Sequence, residues 1–211
     1  MKEPIILIGG GGHCISAIDV IVQTNQYEIL GIIDLPQNVD KKILHYPIIG
    51  TDDQIKDFSK KCPNFLITVG QIKSSGTRER LFHEVKNAKG NLPVIISPMA
   101  YVSKYATIEE GSIIMHHSLV NANARIGKCC IINSKALIEH EAIVGEFCHI
   151  STGSIINGQV QVGDHCFIGS NTIVSNNINI NKDSIIAAGS QVLKTIENSG
   201  TYIGNPLRRI R

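Results

Sequence analysis

The chain has 211 residues, with 20 Lys and Arg against 18 Asp and Glu, a formal net charge of +2 and no concentrated basic run, so nothing electrostatic argues for nucleic acid as a partner. Its length accommodates one or two domains. The first apolar run, 5–8, is only a strand long, follows Glu3 and flows into glycines, so it reads as neither signal peptide nor membrane span, and a cytoplasmic protein without membrane insertion is expected.

Residues 5–8, the turn Gly9-Gly10-Gly11-Gly12-His13 and a helical stretch to about 23 predict a strand, glycine turn and helix, a unit that presents backbone N–H groups to phosphate. A second strand over 29–33 ends at Asp34, about twenty residues past the glycines, where dinucleotide folds carry a ribose-binding acid. Further alternation follows: strand 47–50, helix 52–60, strand 65–70, helix 77–88 and strand 93–97. This pattern predicts a small Rossmann-like α/β domain over 1–97, with a doubly wound parallel sheet. Five strands make half of a full dinucleotide fold, so one nucleotide fits better than two, and a sugar nucleotide is the natural candidate. A purely structural tight turn and a capping role for Asp34 remain alternative readings at this point.

From residue 98 the pattern changes. Val102, Ile108, Ile114 and every sixth residue on to Val192 are isoleucine or valine, sixteen positions in register. Four residues after most of them stands a small side chain, among them Ala106, Ser112, Cys130 and Cys148, with Val160 and Ile178 the larger exceptions. A period of six fits neither helix nor heptad but is a multiple of the strand period of two. It predicts an all-β parallel β-helix over 98–211, with three sides, about eighteen residues per coil and aliphatic ladders as its core. Cys130, Cys148 and Cys166 fall eighteen apart and are expected to stack on one edge as packing residues. Cys14, Cys62 and Cys129 show no pairing pattern or metal-ligand spacing, so reduced thiols and no metal are expected.

The segments Gly9 to His13, Ile138-Glu139-His140-Glu141 with Val144-Gly145-Glu146-Phe147-Cys148-His149, and Gly204-Asn205-Pro206 resemble those of the NeuD/PglD-like sugar acyltransferases of the hexapeptide-repeat superfamily, across nearly the whole chain. The resemblance implies a left-handed β-helix, a homotrimer with active sites between neighbouring subunits, and acetyl-CoA as co-substrate. It further implies N-acetylation of a nucleotide-linked amino sugar, with UDP-4-amino-4,6-dideoxy-N-acetylglucosamine as acceptor, in bacterial surface glycan synthesis. On the same basis His140 is the general base and Glu141 its carboxylate partner. His149 contacts the donor; Gly158, Ser170 and Ala188 line the coenzyme channel; Asn133 lies near the reacting amine; and Gly11, Gly12, His13 and Asp34 form the nucleotide-sugar site. The chain departs from the family pattern at Ala187-Ala188, where glycine is usual, at Cys14, and in the linker 70–75.

Acetyl transfer to an amine requires an unprotonated nitrogen, and an imidazole steadied by a carboxylate suits the removal of that proton. His149, nine residues or half a coil beyond His140, is expected to face another direction within one chain, which fits a site shared between subunits. Two rival readings are a sugar O-acetyltransferase and a non-catalytic scaffold in a sugar biosynthesis complex.

Overall fold

Four consecutive aliphatic residues at 5–8 are buried to 2% exposure or less because β1 (Glu3–Ile8) is the inner strand of a parallel sheet covered on both faces. In the computed structural model, which describes residues 1–211, the sheet order is β3-β4-β2-β1-β5. Its other strands are β2 (Tyr27–Ile33), β3 (Lys42–Ile43), β4 (Tyr46–Gly50) and β5 (Asn64–Ile67). All pairings are parallel except that of β3 with β4, a short antiparallel edge that the sequence did not announce. The helices are α1 (Gly12–Thr24), α2 (Ile55–Phe58) and α3 (Gly76–Asn87).

The helix expected over 52–60 is shorter. Thr51 and Gln54 form a reciprocal capping box that winds Asp52–Gln54 as a 3₁₀ turn before α2. The strand expected over 65–70 ends at Ile67, because the Thr68 hydroxyl turns inward and donates to the carbonyls of Gly9 (2.6 Å) and Ile8 (3.1 Å). That expected over 93–97 is reduced to Ile95–Ile96.

The chain divides into two compact units: residues 1–70 with 76–95, and residues 71–75 with 96–211. In the second unit, two-residue strands pair in parallel with the strand eighteen residues on, building three sheets. One outward ladder runs Tyr101, Leu119, Leu137, Ile155, Ile173 and Gln191. A second runs Thr107, Arg125, Ile143, Gln161 and Asn179, and a third includes Ile131, His149, Phe167 and Ile185. The second residue of each strand points inward, so Val120, Ile126, Ile132, Ile138 and their successors form one continuous buried core. Val160 and Ile178 are buried in it too.

The corners have their own period. From Gly111 to Gly189 every sixth residue is left-handed, with φ between 50° and 73°, and only Gly111, Gly153 and Gly189 of these fourteen are glycines. Asn, Asp and His, which tolerate this region best among side chains, take six more of the places. The small slot also does more than save space. Ser112, Cys130, Cys148, Ser154, Cys166 and Thr172 each donate to the carbonyl fifteen residues on, at 2.7 to 3.3 Å, satisfying corner acceptors inside the prism.

Candidate active site

In the first unit, a cleft of about 380 Å³ opens at the C-terminal ends of β1 and β2, lined among others by Gly9, Gly10, Gly11, Asp34, Asp52, Thr77 and Arg80. Gly9 has φ +104°, and a Cβ there would collide with Val69, so the chain turns into the cleft only with glycine. Gly11 is the N-cap of α1 and offers no capping side chain, leaving the helix start available to an anion. Asp34 accepts from the Leu35 N–H at 2.8 Å and the Asn38 amide at 3.1 Å, so its carboxylate is held in place. A Cβ on Gly10 would stand 2.7 Å from Asp34 Oδ2. Gly12 and His13 begin α1 but do not line the cleft. Burial pushes the Cys14 thiol up to about 11, so it stays protonated and unreactive at neutral pH.

In the second unit, His140 and Glu141 occupy a corner, with Glu141 in its left-handed position at φ 60°. Both side chains are about half exposed, and His140 Nδ1 lies 3.9 Å from Glu141 Oε2, an ion-pair distance longer than a hydrogen bond. Glu141 instead accepts from Gln159 Nε2 at 2.6 Å. Glu139 accepts from the His140 N–H at 3.1 Å and from Asn121 Nδ2 at 2.8 Å. One coil further on, Gly158 lies beneath the imidazole: a Cβ on it would stand 2.7 Å from both Cε1 and Nε2. The missing side chain therefore lets that edge of the ring pack close over the Gly158 backbone.

A second corner gathers Asn133, Ser170 and Ala188. The Ser134 N–H donates to Asn133 Oδ1 at 2.8 Å, which turns the Asn133 amide nitrogen toward His149 Nε2, 3.1 Å away. His149 Nδ1 lies 2.7 Å from the Gln71 carbonyl oxygen and must donate to it, so Nε2 accepts and the ring is neutral. His149 is buried, with Phe167 edge-on at 5.3 Å. Ser170 Oγ is 2.9 Å from Ser151 Oγ, and Ala188 is exposed one coil beyond. Ser75 Oγ, 2.8 Å from His165 Nδ1, ties down the other end of segment 71–75. Within one chain the structure thus separates His140, Glu141 and Gly158 from Asn133, Ser170 and Ala188, one hexad apart around the coil.

The corner that holds His140 follows the strand Leu137–Ile138 and borders the ladder Tyr101, Leu119, Leu137, Ile155 and Ile173, an apolar outward face on which Tyr101 is 59% and Ile173 38% exposed. The neighbouring ladder, Thr107, Arg125, Ile143, Gln161 and Asn179, is mostly polar, with Ile143 its one apolar member. Sequence reasoning missed Glu139, Asn121, Gln159 and Gln71. The first three carried a usable signal: 121 with 139, and 141 with 159, are eighteen apart and therefore vertical neighbours. Gln71 carried none.

Residues 4–85 match the family model of the PglD N-terminal domain. No curated protein matches the chain. Among solved structures, PerB from Caulobacter crescentus in complex with CoA and GDP-perosamine is 26% identical over 100% of this chain and 99% of that one, with a TM-score of 0.92. A mutant perosamine N-acetyltransferase from the same organism, again with CoA and GDP-perosamine, is 25% identical over 100% and 98%, with a TM-score of 0.93. The acetyltransferase domain of PglB from Neisseria gonorrhoeae, in complex with acetyl coenzyme A, shares the fold at 24% identity over the full length of both chains, with a TM-score of 0.91.

Proposed function

We propose, for a chain that is PglD-like in its N-terminal domain and in its whole-chain fold, that it is an acetyl-CoA-dependent N-acetyltransferase acting on a nucleotide-linked amino sugar. In this reading residues 1–97 hold the nucleotide sugar and residues 98–211, wound as a left-handed coil, carry out the transfer from a homotrimer in the cytoplasm. Similarity to CoA-bound sugar N-acetyltransferases supports the reaction class. The observation that carries the site is the half-exposed His140 ring, whose Cε1–Nε2 edge packs close over Gly158 beside an apolar outward face.

Apolar faces pack against their own copies in cyclic oligomers, and that packing would bring the His140 corner of one protomer against the Asn133, Ser170 and Ala188 corner of the next. The side chains at that second corner are small or neutral, which suits a narrow channel for the pantetheine arm. The amine nitrogen attacks the thioester carbonyl carbon while His140 Nε2 accepts its proton. The C–S bond breaks as the amide forms, and the departing thiolate takes up the proton. Glu141, on the Nδ1 side, stabilises the imidazolium formed between the two events. Glu139 fixes the backbone N–H of His140, and with it the height of the ring over Gly158. In the first unit, Gly11 and the start of α1 receive the phosphates and Asp34 the ribose hydroxyls. Of acceptors in this class, the 4-amino sugars, such as UDP-4-amino-4,6-dideoxy-N-acetylglucosamine or a perosamine nucleotide, are the first to try.

The test is thiol release from acetyl-CoA with a panel of UDP-, GDP- and dTDP-amino sugars and their hydroxyl analogues. Turnover of an amino sugar that falls about 10²- to 10⁴-fold in His140→Ala is expected. Preference for the hydroxyl analogue would indicate O-acetylation, and no thiol release with any acceptor would leave the scaffold reading.

A further inference from the structure

Two further charged side chains, besides Asp34, line the cleft of the first unit. In a parallel sheet the turn after β1 takes the phosphates and the acid after β2 takes the ribose, so the base lies toward the next strand outward. Here that strand is β4, and Asp52 stands two residues past its C-terminal end. Arg80, from α3, donates from Nη2 to Asp52 Oδ2 at 2.8 Å and from Nη1 to Glu84 Oε1 at 2.6 Å. Both Asp52 and Arg80 line the cleft, and each is only partly exposed. Arg80 retains three of its five N–H donors beyond these two bonds, and the Asp52 carboxylate retains lone pairs.

The outcome is an acceptor pair held beside a donor. Guanine matches it, because its N1–H and N2 amine are adjacent donors and O6, next to them, is an acceptor. Uracil and thymine place a single N3–H between two carbonyl oxygens, so a carboxylate there gains one hydrogen bond and meets a like partial charge. We propose that Asp52, oriented by Arg80, reads the base of the bound nucleotide and selects guanine over uracil and thymine. The proposal rests on the nucleotide-sugar reading of this cleft, and it departs from the uridine nucleotide that the sequence resemblance implied.

Calorimetric titration of the full chain with GDP, UDP, dTDP and IDP tests it. GDP is expected to bind roughly ten- to hundredfold more tightly than UDP or dTDP, as a bidentate base contact discriminates. IDP, which lacks the N2 amine, should bind more weakly than GDP. Asp52→Asn should weaken GDP and leave UDP within about twofold, since it removes one acceptor while the amide oxygen still receives Arg80. UDP or dTDP binding as tightly as GDP, or an unchanged preference in Asp52→Asn, overturns the proposal and leaves the nucleotide-sugar reading standing. Failure of all four to bind overturns both. Should the variant not fold, GDP against IDP on the natural chain decides.

Discussion

Gly158→Ala probes the reacting centre with one methyl group. Its Cβ would stand 2.7 Å from His140 Cε1 and Nε2, whereas carbon contacts settle near 3.5–4.0 Å, so the ring must retreat by about 1 Å. The half-exposed imidazole has room to do so, and Gly158 is outside the left-handed region, so alanine brings no backbone strain and the fold should keep its stability within about 1 kcal/mol. A displacement of that size at a reacting group costs on the order of 100-fold in rate, or about 3 kcal/mol of barrier. Steady-state kinetics with both substrates varied, alongside a melting curve, provides the measurement. The expected result is a kcat down about 100-fold with an unchanged Tm and little change in either KM. A rise in the KM for acetyl-CoA with kcat intact would instead make Gly158 a wall of the coenzyme channel. An enzyme with unaltered kcat and KM would refute the placement of His140 as base.

Ile155→Glu puts a charge in the middle of the apolar ladder, and light scattering should find monomers in place of the trimer proposed for the natural chain; a trimer that persists would move the interface elsewhere. His149→Phe leaves the buried Gln71 carbonyl without its partner and releases the partly buried Asn133 amide to water, and at about 1–3 kcal/mol for the orphaned carbonyl the urea midpoint should fall clearly. Cys14 supplies a pH dependence. Its thiol titrates at about 11 when folded against 9.0 as the ordinary value, so the stabilisation is complete below pH 9 and is lost as pH rises to 11, because only the unfolded chain ionises in between. The unfolding free energy from denaturant melts should therefore fall between pH 9 and 11 by up to about 1.4 kcal/mol per pH unit more in the natural chain than in Cys14→Ala. Parallel slopes would contradict it.

The β-helix was legible because its core is a one-dimensional code: an inward aliphatic every six residues, repeated from Val102 to Val192, leaves few other ways to bury those side chains. The Rossmann-like alternation was legible for the same reason, as each buried strand reads as an unbroken apolar run. What escaped notice was set by contacts that sequence spacing does not carry. The left-handed corners were hidden because Lys135, Glu141, Phe147 and Gln159 occupy them alongside the expected glycines, the coil geometry overriding local preference. The pairing of His149 with Gln71 joins residues 78 apart and follows no period. The family resemblance implied Glu141 as the carboxylate partner of His140, yet the carboxylate stands 3.9 Å from the ring and bonds Gln159 instead.

Complementation between two inactive variants bears most directly on a site assembled from two chains. His140→Ala removes the base from one corner, and Ala188→Trp blocks the other. Coexpressed with different tags and purified as mixed trimers, they should regain about a third of the natural turnover, since each interface joins one corner from each neighbour and one interface of the three in every mixed ring is intact. Mixed trimers as inactive as either parent would place base and donor channel in the same chain and contradict the account.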